Sequence, residues 1–409
     1  MYKKHIFVVV AALQAFLFVN TANAQVRNSV YSMFGVGELF DNSLGVNRSL
    51  GGTGIAFQSG TSINYLNPAS YLGIAPNSYI MEVGVYGMYD KSENSNSVET
   101  EKDINFSYWS VSAYLANWWA SSLGILPFSF IEYKINTTGK IEGELTSFEK
   151  TFTGSGGLSR IYLGNSFKIY KGLAAGFNTS YIVGPITQTE SASINSSLAG
   201  YELKNKRAVN AIYLDYGLQY SLSRNDWLYT IGAIYGASRK LSTIDDLELT
   251  SNGSTTSLDE NERLAISIPQ KFGLGISVKK DAMRAGLDYE WEDWSTIRFS
   301  NPNFNTKNSS RFSIGVEFSP GQKKEGSKSL SYRLGANYKS SYLEIDNTPI
   351  NSMTVSVGVG IPYDVVNLNV SVEYGQEGTL NNGLIKNSYW VLYVGMSLHE
   401  FWATISSED

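Results

Sequence analysis

The chain has 409 residues, no cysteine and a formal net charge of −5; only 17% of its residues are charged, while 13% are aromatic and tyrosine alone numbers 27. The missing cysteine excludes a disulfide framework and thiolate metal sites, and the acidic balance argues against nucleic acid, whose binders carry basic patches. Few charges, many tyrosines and glycines, and no run of 18 apolar residues fit a transmembrane β-barrel, in which only alternate residues meet lipid, better than a spanning helix or a soluble domain.

Residues 1–24 read as a secretory signal. Lys3 and Lys4 precede a mostly apolar stretch, Ile6 to Val19, and Ala22-Asn23-Ala24 is a cleavage site of the A-x-A kind. Such a leader directs the product to the cell envelope. Its removal leaves an N-terminal segment and hatch over 25–78, a barrel over 79–402 and a tail over 403–409.

Within the N-terminal part, SLGGTGIAFQSGTSINYLNPASYLG (49–73) is small, neutral and glycine-rich. Gly51, Gly52 and Gly54 let backbone pack closely against other structure. Asn67 suits a helix N-cap, Pro68 the first helical position and Gly73 the stop, so one short helical turn is expected over 67–73, with Ala69 inside it. A hatch folded within a lumen, or an ordinary glycine turn before the first strand, would both look like this.

From Tyr79 onward the chain alternates. In KFGLGISVK (271–279) Phe272, Leu274, Ile276 and Val278 share one face, while Lys271, Gly273, Gly275 and Ser277 share the other. RFSIGVEFS (311–319) repeats this with Phe312 and Ile314 opposite Arg311, Ser313 and Glu317. TVSVGVGI (354–361), LNVSVEYG (368–375, with Val370 and Val372) and YWVLYVGMSL (389–398) do the same. Period two means strands with one apolar and one small or polar face. Strands are expected at 79–90, 103–116, 118–138, 154–170, 173–192, 202–223 and 227–246. Seven more follow at 262–280, 282–299, 309–319, 329–343, 349–363, 365–377 and 385–400. The expected fold is therefore all-β, a 14-stranded antiparallel transmembrane barrel with the hatch inside its lumen.

The connections sort by parity. Those after strands 2, 4, 6, 8 and 12 are tight, for example Lys280-Asp281 and Tyr363-Asp364, and only PGQKKEGSK (320–328) after strand 10 is longer. Those after odd strands are mostly longer and polar, such as 91–102 and 246–262. Short periplasmic turns alternating with longer outer loops are an outer-membrane barrel pattern. Trp118, Trp119, Tyr170, Trp227, Tyr363, Phe401 and Trp402 lie beside the short turns. Trp291 and Trp390 lie far enough up their strands to form a second girdle across an apolar band of roughly 25 Å.

Chemistry is sparse. The chain has two histidines, and His399 alone survives the leader, so no Ser-His-Asp arrangement can be built away from it. Asp288, Glu290 and Glu292 alternate on one strand, with Glu317 and Glu373 on others. They read as lumen charges paired with Arg284, Arg311 and Arg333 on the same face rather than as acid–base groups. GGTG (51–54) and GSGG (154–157) lack the βαβ context of a phosphate loop. The acidic residues at 245–262 lack EF-hand spacing. Neither a cofactor nor a metal is expected.

Strand 3, WWASSLGILPFSFIEYKI (118–135), contains Pro127. Proline cannot donate to a ladder, and a closed barrel offers no edge, so the wall should open or bulge at 124–128, with Gly124 adding backbone freedom. An opening in hydrocarbon must be lined by plug, water or ligand. Pro185 and Pro269 also fall within expected strands.

LGGTGIAFQSGTSINYLNPASY (50–71) resembles the hatch signature of the FadL/TodX family of outer-membrane long-chain fatty-acid and hydrocarbon transporters. IPQKFGLGISVKKDAMRAGLDYEWEDWS (268–295) is similar to that family's hairpin, through Pro269, Gly273, Gly275, Asp293, Trp294 and Ser295. The likeness covers nearly the whole chain after the leader in strand count and order. QVRNSVYSMFGVGELFDNSLG (25–45) and the tail do not align with the transporters. The overall pattern resembles Bacteroidota-type members, among which FadL-like barrels include secretion-machinery subunits as well as transporters. The resemblance implies an outer-membrane location, a hydrophobic small-molecule ligand, a lateral gate at Gly124 and Pro127, and contact with membrane lipid and lipopolysaccharide. It leaves two functions open. One is passive uptake of a hydrophobic molecule, which apolar inward residues near the hatch would support. The other is a barrel that binds envelope protein partners without transporting, which a lumen packed solid with side chains would favour.

Overall fold

In a computed structural model of the protein, residues 29–140, 147–194, 199–251, 253–258, 267–295, 304–320 and 329–402 are described. The leader, residues 25–28, the tail 403–409 and most of the turn at 320–328 lie outside them.

The wall is a closed antiparallel barrel of 14 strands. The first seven are β1 (Ser78–Glu93), β2 (Val98–Ala116), β3 (Trp119–Lys140), β4 (Ser147–Tyr170), β5 (Leu173–Ile194), β6 (Ala199–Arg224) and β7 (Trp227–Gly236, resumed as Ser242–Ser251). The rest are β8 (Gln270–Lys280), β9 (Met283–Asp293), β10 (Ser309–Phe318), β11 (Ser331–Ser340), β12 (Ser352–Tyr363), β13 (Val366–Gly378) and β14 (Lys386–Phe401). Each pairs with its neighbours in sequence, and β14 closes on β1 from Ser78↔Phe401 to Glu93↔Lys386. Among the described residues no helix is long and apolar enough to cross a membrane.

Alternation decides which face is which. Leu274, Ile276, Phe312, Ile314 and Val372 are exposed, whereas Ser277, Asp288, Glu290 and Ser313 between them are buried. Large apolar side chains thus cover one face all round and small or charged ones the other, as a wall facing hydrocarbon requires. Trp118, Tyr170, Trp227, Tyr363, Phe401 and Trp402 are exposed beside the short turns. In the Asn225-Asp226 turn both residues have positive φ, 49° and 64°, as a type I′ hairpin demands.

The strands are unequal: β4 starts seven residues earlier than expected, at Ser147, and β8, β9, β11 and β12 are shorter than expected. β3 to β6 run 22 to 26 residues, whereas β8 to β12 run 10 to 12. About ten tilted residues cross a bilayer core, so β3 to β6 stand well beyond it. The expected loop 91–102 shrinks to 94–97, and that at 246–262 contains a return strand, Ser254–Leu258, paired with Ser242–Ser251. In these extensions the ladder persists and one face still buries Ile131, Tyr133, Ile186 and Val209. Cross-strand ion pairs join them: Lys150–Glu190 at 2.9 Å, Lys206–Glu248 at 2.9 Å and the buried Arg207–Asp245 at 2.7 Å.

Residues 29–77 pack against the buried face of the wall. They contain a 3-10 turn (Val30–Met33), a two-residue strand (Glu38–Leu39), one helical turn (Gly45–Arg48) and a second 3-10 turn (Pro68–Gly73). Leu50, Ile55, Ala56 and Ala69 have no exposed surface. Close approach needs glycine on both sides. Gly51 and Gly52 have φ of 65° and 80°, and a Cβ on Gly335 of β11 would overlap the backbone of Leu50 and Gly51.

Candidate functional site

The expected helical turn forms, and its cap does more than cap. The Asn67 side-chain oxygen accepts from Ala69 N at 3.0 Å, while its amide donates to Ile55 O at 2.7 Å and to Leu218 O of β6 at 3.1 Å. Tyr71 donates to Asn178 of β5 at 2.9 Å, and Ser166 of β4 donates to Ala69 O at 2.9 Å. The glycine run is held on the far side. Gly51 N donates to Ser356 of β12 at 3.0 Å, and Gly54 N and Ile55 N both donate to Asp288 Oδ2 of β9, at 2.6 and 2.8 Å. Ile63 N donates to Glu82 of β1 at 3.0 Å. Segment 49–73 is thereby fastened to strands from β1 to β12.

Among the charges named from sequence, two have partners other than a wall arginine. Glu317 pairs with Arg333 at 2.8 Å and Arg284 at 3.7 Å, and Arg311 lies 3.8 Å from Glu290. Among the described residues no cation bonds Asp288; its acceptor role goes to the backbone of Gly54 and Ile55. Glu373 pairs with Arg48 of the N-terminal segment at 3.8 Å rather than with a wall arginine. The reason is common to both: the segment reaches the buried face first and brings its own donors.

A cavity of about 250 Å³ lies between Glu38–Asn42, Tyr65–Pro68 and the buried face of the wall. Phe40, Tyr65, Tyr86 and Phe130 contribute rings, and Asp41, Arg48, Arg160, Asp215, Lys271, Glu290, Arg311 and Glu373 contribute charge. These charges meet one another. Arg311 holds Asp41 at 2.7 Å, and Glu290 bonds Lys271 as well as Arg311. Burial alone would raise the Asp41 carboxyl, but the adjacent Arg311 guanidinium outweighs it and holds that carboxyl well below the usual range. Arg160 donates to the Tyr65 hydroxyl at 2.5 Å, which donates on to Asp215 at 3.3 Å. Burial pushes the Tyr65 phenol up to about 12. Arg160 also sits over the Phe128 ring, 4.7 Å from its centre. Sequence reasoning missed Asp41, Arg48, Arg160, Asp215 and Lys271. Arg160 and Asp215 were legible, since each lies on the polar side of an alternating strand.

The wall is defective where Pro127 sits. The β2–β3 ladder runs from Ala116↔Trp119 only to Trp109↔Ile125. Beyond it β3 pairs with β4 through a register shift between Pro127 and Ser129. Gly124 lies below the defect in regular pairing, and a Cβ there would meet Trp109 O and the Tyr162 ring; it permits close packing rather than added freedom. The free side of β3 is taken by the N-terminal segment. Leu39 and Glu38 pair with Ser129 and Phe130, Phe40 N donates to Phe128 O at 3.0 Å, and Ser29 N donates to Glu132 O at 2.8 Å. Pro185 lies at a second interruption, between β4 and β5, where pairing skips from Gly156↔Ile186 to Ser159↔Val183. Pro269 sits just ahead of β8. GSGG (154–157) is part of β4, and Gly156 has a φ of 111° there. Trp294 is buried and stacks on Tyr342, ring centres 3.9 Å apart, in a loop cluster with Tyr31 and Ile350. Among the described residues no group of three potential metal ligands occurs.

Several solved structures share this fold. The toluene transporter TodX of P. putida aligns at 15% identity and a TM-score of 0.60, covering 89% of this chain and 99% of TodX. The Ralstonia pickettii toluene transporter TbuX aligns at 15% identity and 0.56, covering 88% and 99%. A Pseudomonas aeruginosa FadL homologue aligns at 12% identity and 0.59, covering 89% and 99%. No curated protein matches the chain in sequence. A family model described as BamG matches residues 1–405.

Proposed function

The chain belongs to the BamG family, and from that membership and the chemistry inside the barrel we propose an outer-membrane, partner-binding subunit of an envelope assembly whose lumen is closed by residues 29–77. In this reading the segment around Gly51, Gly52, Gly54, Asn67, Pro68 and Ala69 is a fixed hatch, and the signal over 1–24 delivers the chain to the outer membrane.

The observation that carries it is the lining of the cavity. Pockets for apolar molecules are lined mainly by apolar side chains with a few placed polar groups. This one is crossed by ion pairs joining the segment to the wall, Asp41–Arg311 and Arg48–Glu373 among them. Seating a hydrophobic molecule there would desolvate those charges without replacing their partners. The bonds that fasten 49–73 on opposite sides leave the hatch held at many points.

A second reading is passive uptake of a hydrophobic molecule with lateral release at the β2–β3 seam. It is favoured by the fold likeness to TodX and TbuX and by the failure of the ladder beyond Ile125.

Native mass spectrometry of protein extracted in mild detergent separates the two. A stoichiometric membrane-protein partner and no recurrent small molecule is the expected result. A recurrent apolar molecule bound to a solitary barrel would favour uptake instead.

A further inference from the structure

Around the cavity Arg48, Arg160, Lys271 and Arg311 each have a carboxylate of their own, from Glu373, Asp215, Glu290 and Asp41. Near the short turns the balance fails. Lys279 of β8 stands directly opposite Arg284 of β9, Arg284 opposite Glu317 of β10, and Glu317 opposite Arg333 of β11. These four form one row across four strands, each one or two positions in from the short-turn end of its strand. Three cations share one carboxylate. Glu317 pairs with Arg284 and Arg333, and Lys279 has no ion pair or hydrogen bond among the described residues. The nearest other carboxylates do not serve it. Glu82 of β1 accepts from Ile63 N and from the Tyr108 hydroxyl, each at 3.0 Å. Asp281, in the turn after β8, is exposed and pairs with no cation among the described residues.

Like charges directly opposite one another on neighbouring strands are destabilising, so Lys279 beside Arg284 does not serve the stability of the wall. The row faces the lumen, away from lipid. Ser277, on the same side of β8 as Lys279, donates to Ala56 O at 2.8 Å, and Arg284 donates to Gln58 O at 2.9 Å and lies over the Phe57 ring. Residues 56–58 thus roof the row, and Lys279 and Ser59 are partly exposed at the periplasmic end. Neighbouring strands lie about 4.8 Å apart, so the row spans roughly 14 Å. A single phosphate reaches only part of that. An extended chain with acidic side chains at alternate residues places a carboxylate about every 7 Å along one face and spans it. Lysine and arginine bind such carboxylates through charge-assisted hydrogen bonds.

We propose that the row Lys279, Arg284 and Arg333 at the periplasmic mouth of the lumen is a docking site for an extended acidic segment of a periplasmic protein. This goes beyond the partner-binding reading above, which is tested separately by the membrane-protein partner.

The test measures fluorescence anisotropy of a labelled peptide of alternating aspartate and serine against full-length barrel in nanodiscs of zwitterionic lipid. Wild-type protein should bind it at low salt, and a lysine–serine peptide should not bind. Lys279→Met should weaken binding by about fivefold, and Lys279→Glu should abolish it, with both barrels heat-modifiable. Lys134→Met, exposed on the outer part of β3, should have no effect. The urea midpoint of Lys279→Met should not fall, because the change removes a like-charge neighbour. In living cells p-benzoylphenylalanine at Ser59 should give an adduct with a periplasmic protein, joined through an acidic stretch, and Lys279→Glu should remove it. Equal peptide binding by wild type and Lys279→Met, displacement of the peptide by equimolar inorganic phosphate, or adducts only to lipid or lipopolysaccharide would overturn the proposal. A lowered urea midpoint in Lys279→Met with unchanged peptide binding would assign the row to structure instead. Failure of peptide binding while a membrane-protein partner is still recovered would overturn this site and leave partner binding standing.

Discussion

Replacing Asp288 by asparagine should loosen residues 50–58 without loosening the barrel. Asp288 Oδ2 accepts from Gly54 N at 2.6 Å and Ile55 N at 2.8 Å, in a site where the residue is 5% exposed. Both bonds end on one oxygen, which asparagine keeps as a weaker acceptor, so the local loss should be about 0.5–1.5 kcal/mol, the net worth of an ordinary hydrogen bond. At 1.4 kcal/mol per tenfold, that is about a 2- to 12-fold rise in the opening of residues 50–58. Hydrogen exchange of the protein in lipid nanodiscs reads this directly. The β8–β9 and β9–β10 ladders contain no hydrogen bond to the Asp288 side chain, so their exchange and the barrel's heat-modifiability should hold. Unchanged exchange at 50–58, or an equal loss of protection in β8 to β10, would refute the assignment of Asp288 as an anchor of the segment.

Ile314→Arg should destabilise the barrel by about 2–4 kcal/mol near the midplane in urea titrations with lipid vesicles, because its exposed side chain faces hydrocarbon. Ser313→Arg, on the polar face, should also be costly, because Ser313 is 3% exposed and has no room for a long side chain; a neutral outcome would mean that this part of the lumen is open. Asn67→Ala should cost about 1 kcal/mol for the cap alone, with faster exchange at 67–73 and an intact barrel. Asp41→Asn should free residues 38–42 from Arg311 and accelerate their exchange. Since the folded Asp41 carboxyl is depressed, the pair's contribution is present above the ordinary carboxylate value of about 3.9 and is lost only as pH falls through the lower folded one. Wild-type protection at 38–42, corrected for intrinsic exchange rates, should therefore be equal at pH 7 and pH 5.

Much of the wall was legible because lipid imposes a strict alternation. Leu274 and Ile276, or Phe312 and Ile314, declare their face from sequence alone, and the tight turns mark every second connection. Past the lipid-facing part the expected strands still run on, to 138 in β3, 192 in β5 and from 202 in β6, and what was missed there is mainly the outer end of β4, residues 147–153, where charged Glu149 and Lys150 interrupt any apolar run. Asn67 was legible because a capped turn is local. The partner of Asp288 was not, because a carboxylate that accepts from backbone leaves no complementary residue in the sequence; nor was that of Glu373, since Arg48 lies 325 positions away. Pro127 marked where the wall fails, but not that Glu38 and Leu39 would take up the vacated side of β3. That pairing is made by two residues with no alternation to detect.

The central claim, a barrel sealed by its own N-terminal segment, is tested most directly by single-channel recording in planar bilayers. Wild-type protein should insert and stay silent, while a variant lacking 29–77 but still heat-modifiable should show steady, ion-conducting openings. A wild-type barrel that conducts steadily, or a folded 29–77 deletion that remains closed, would contradict it.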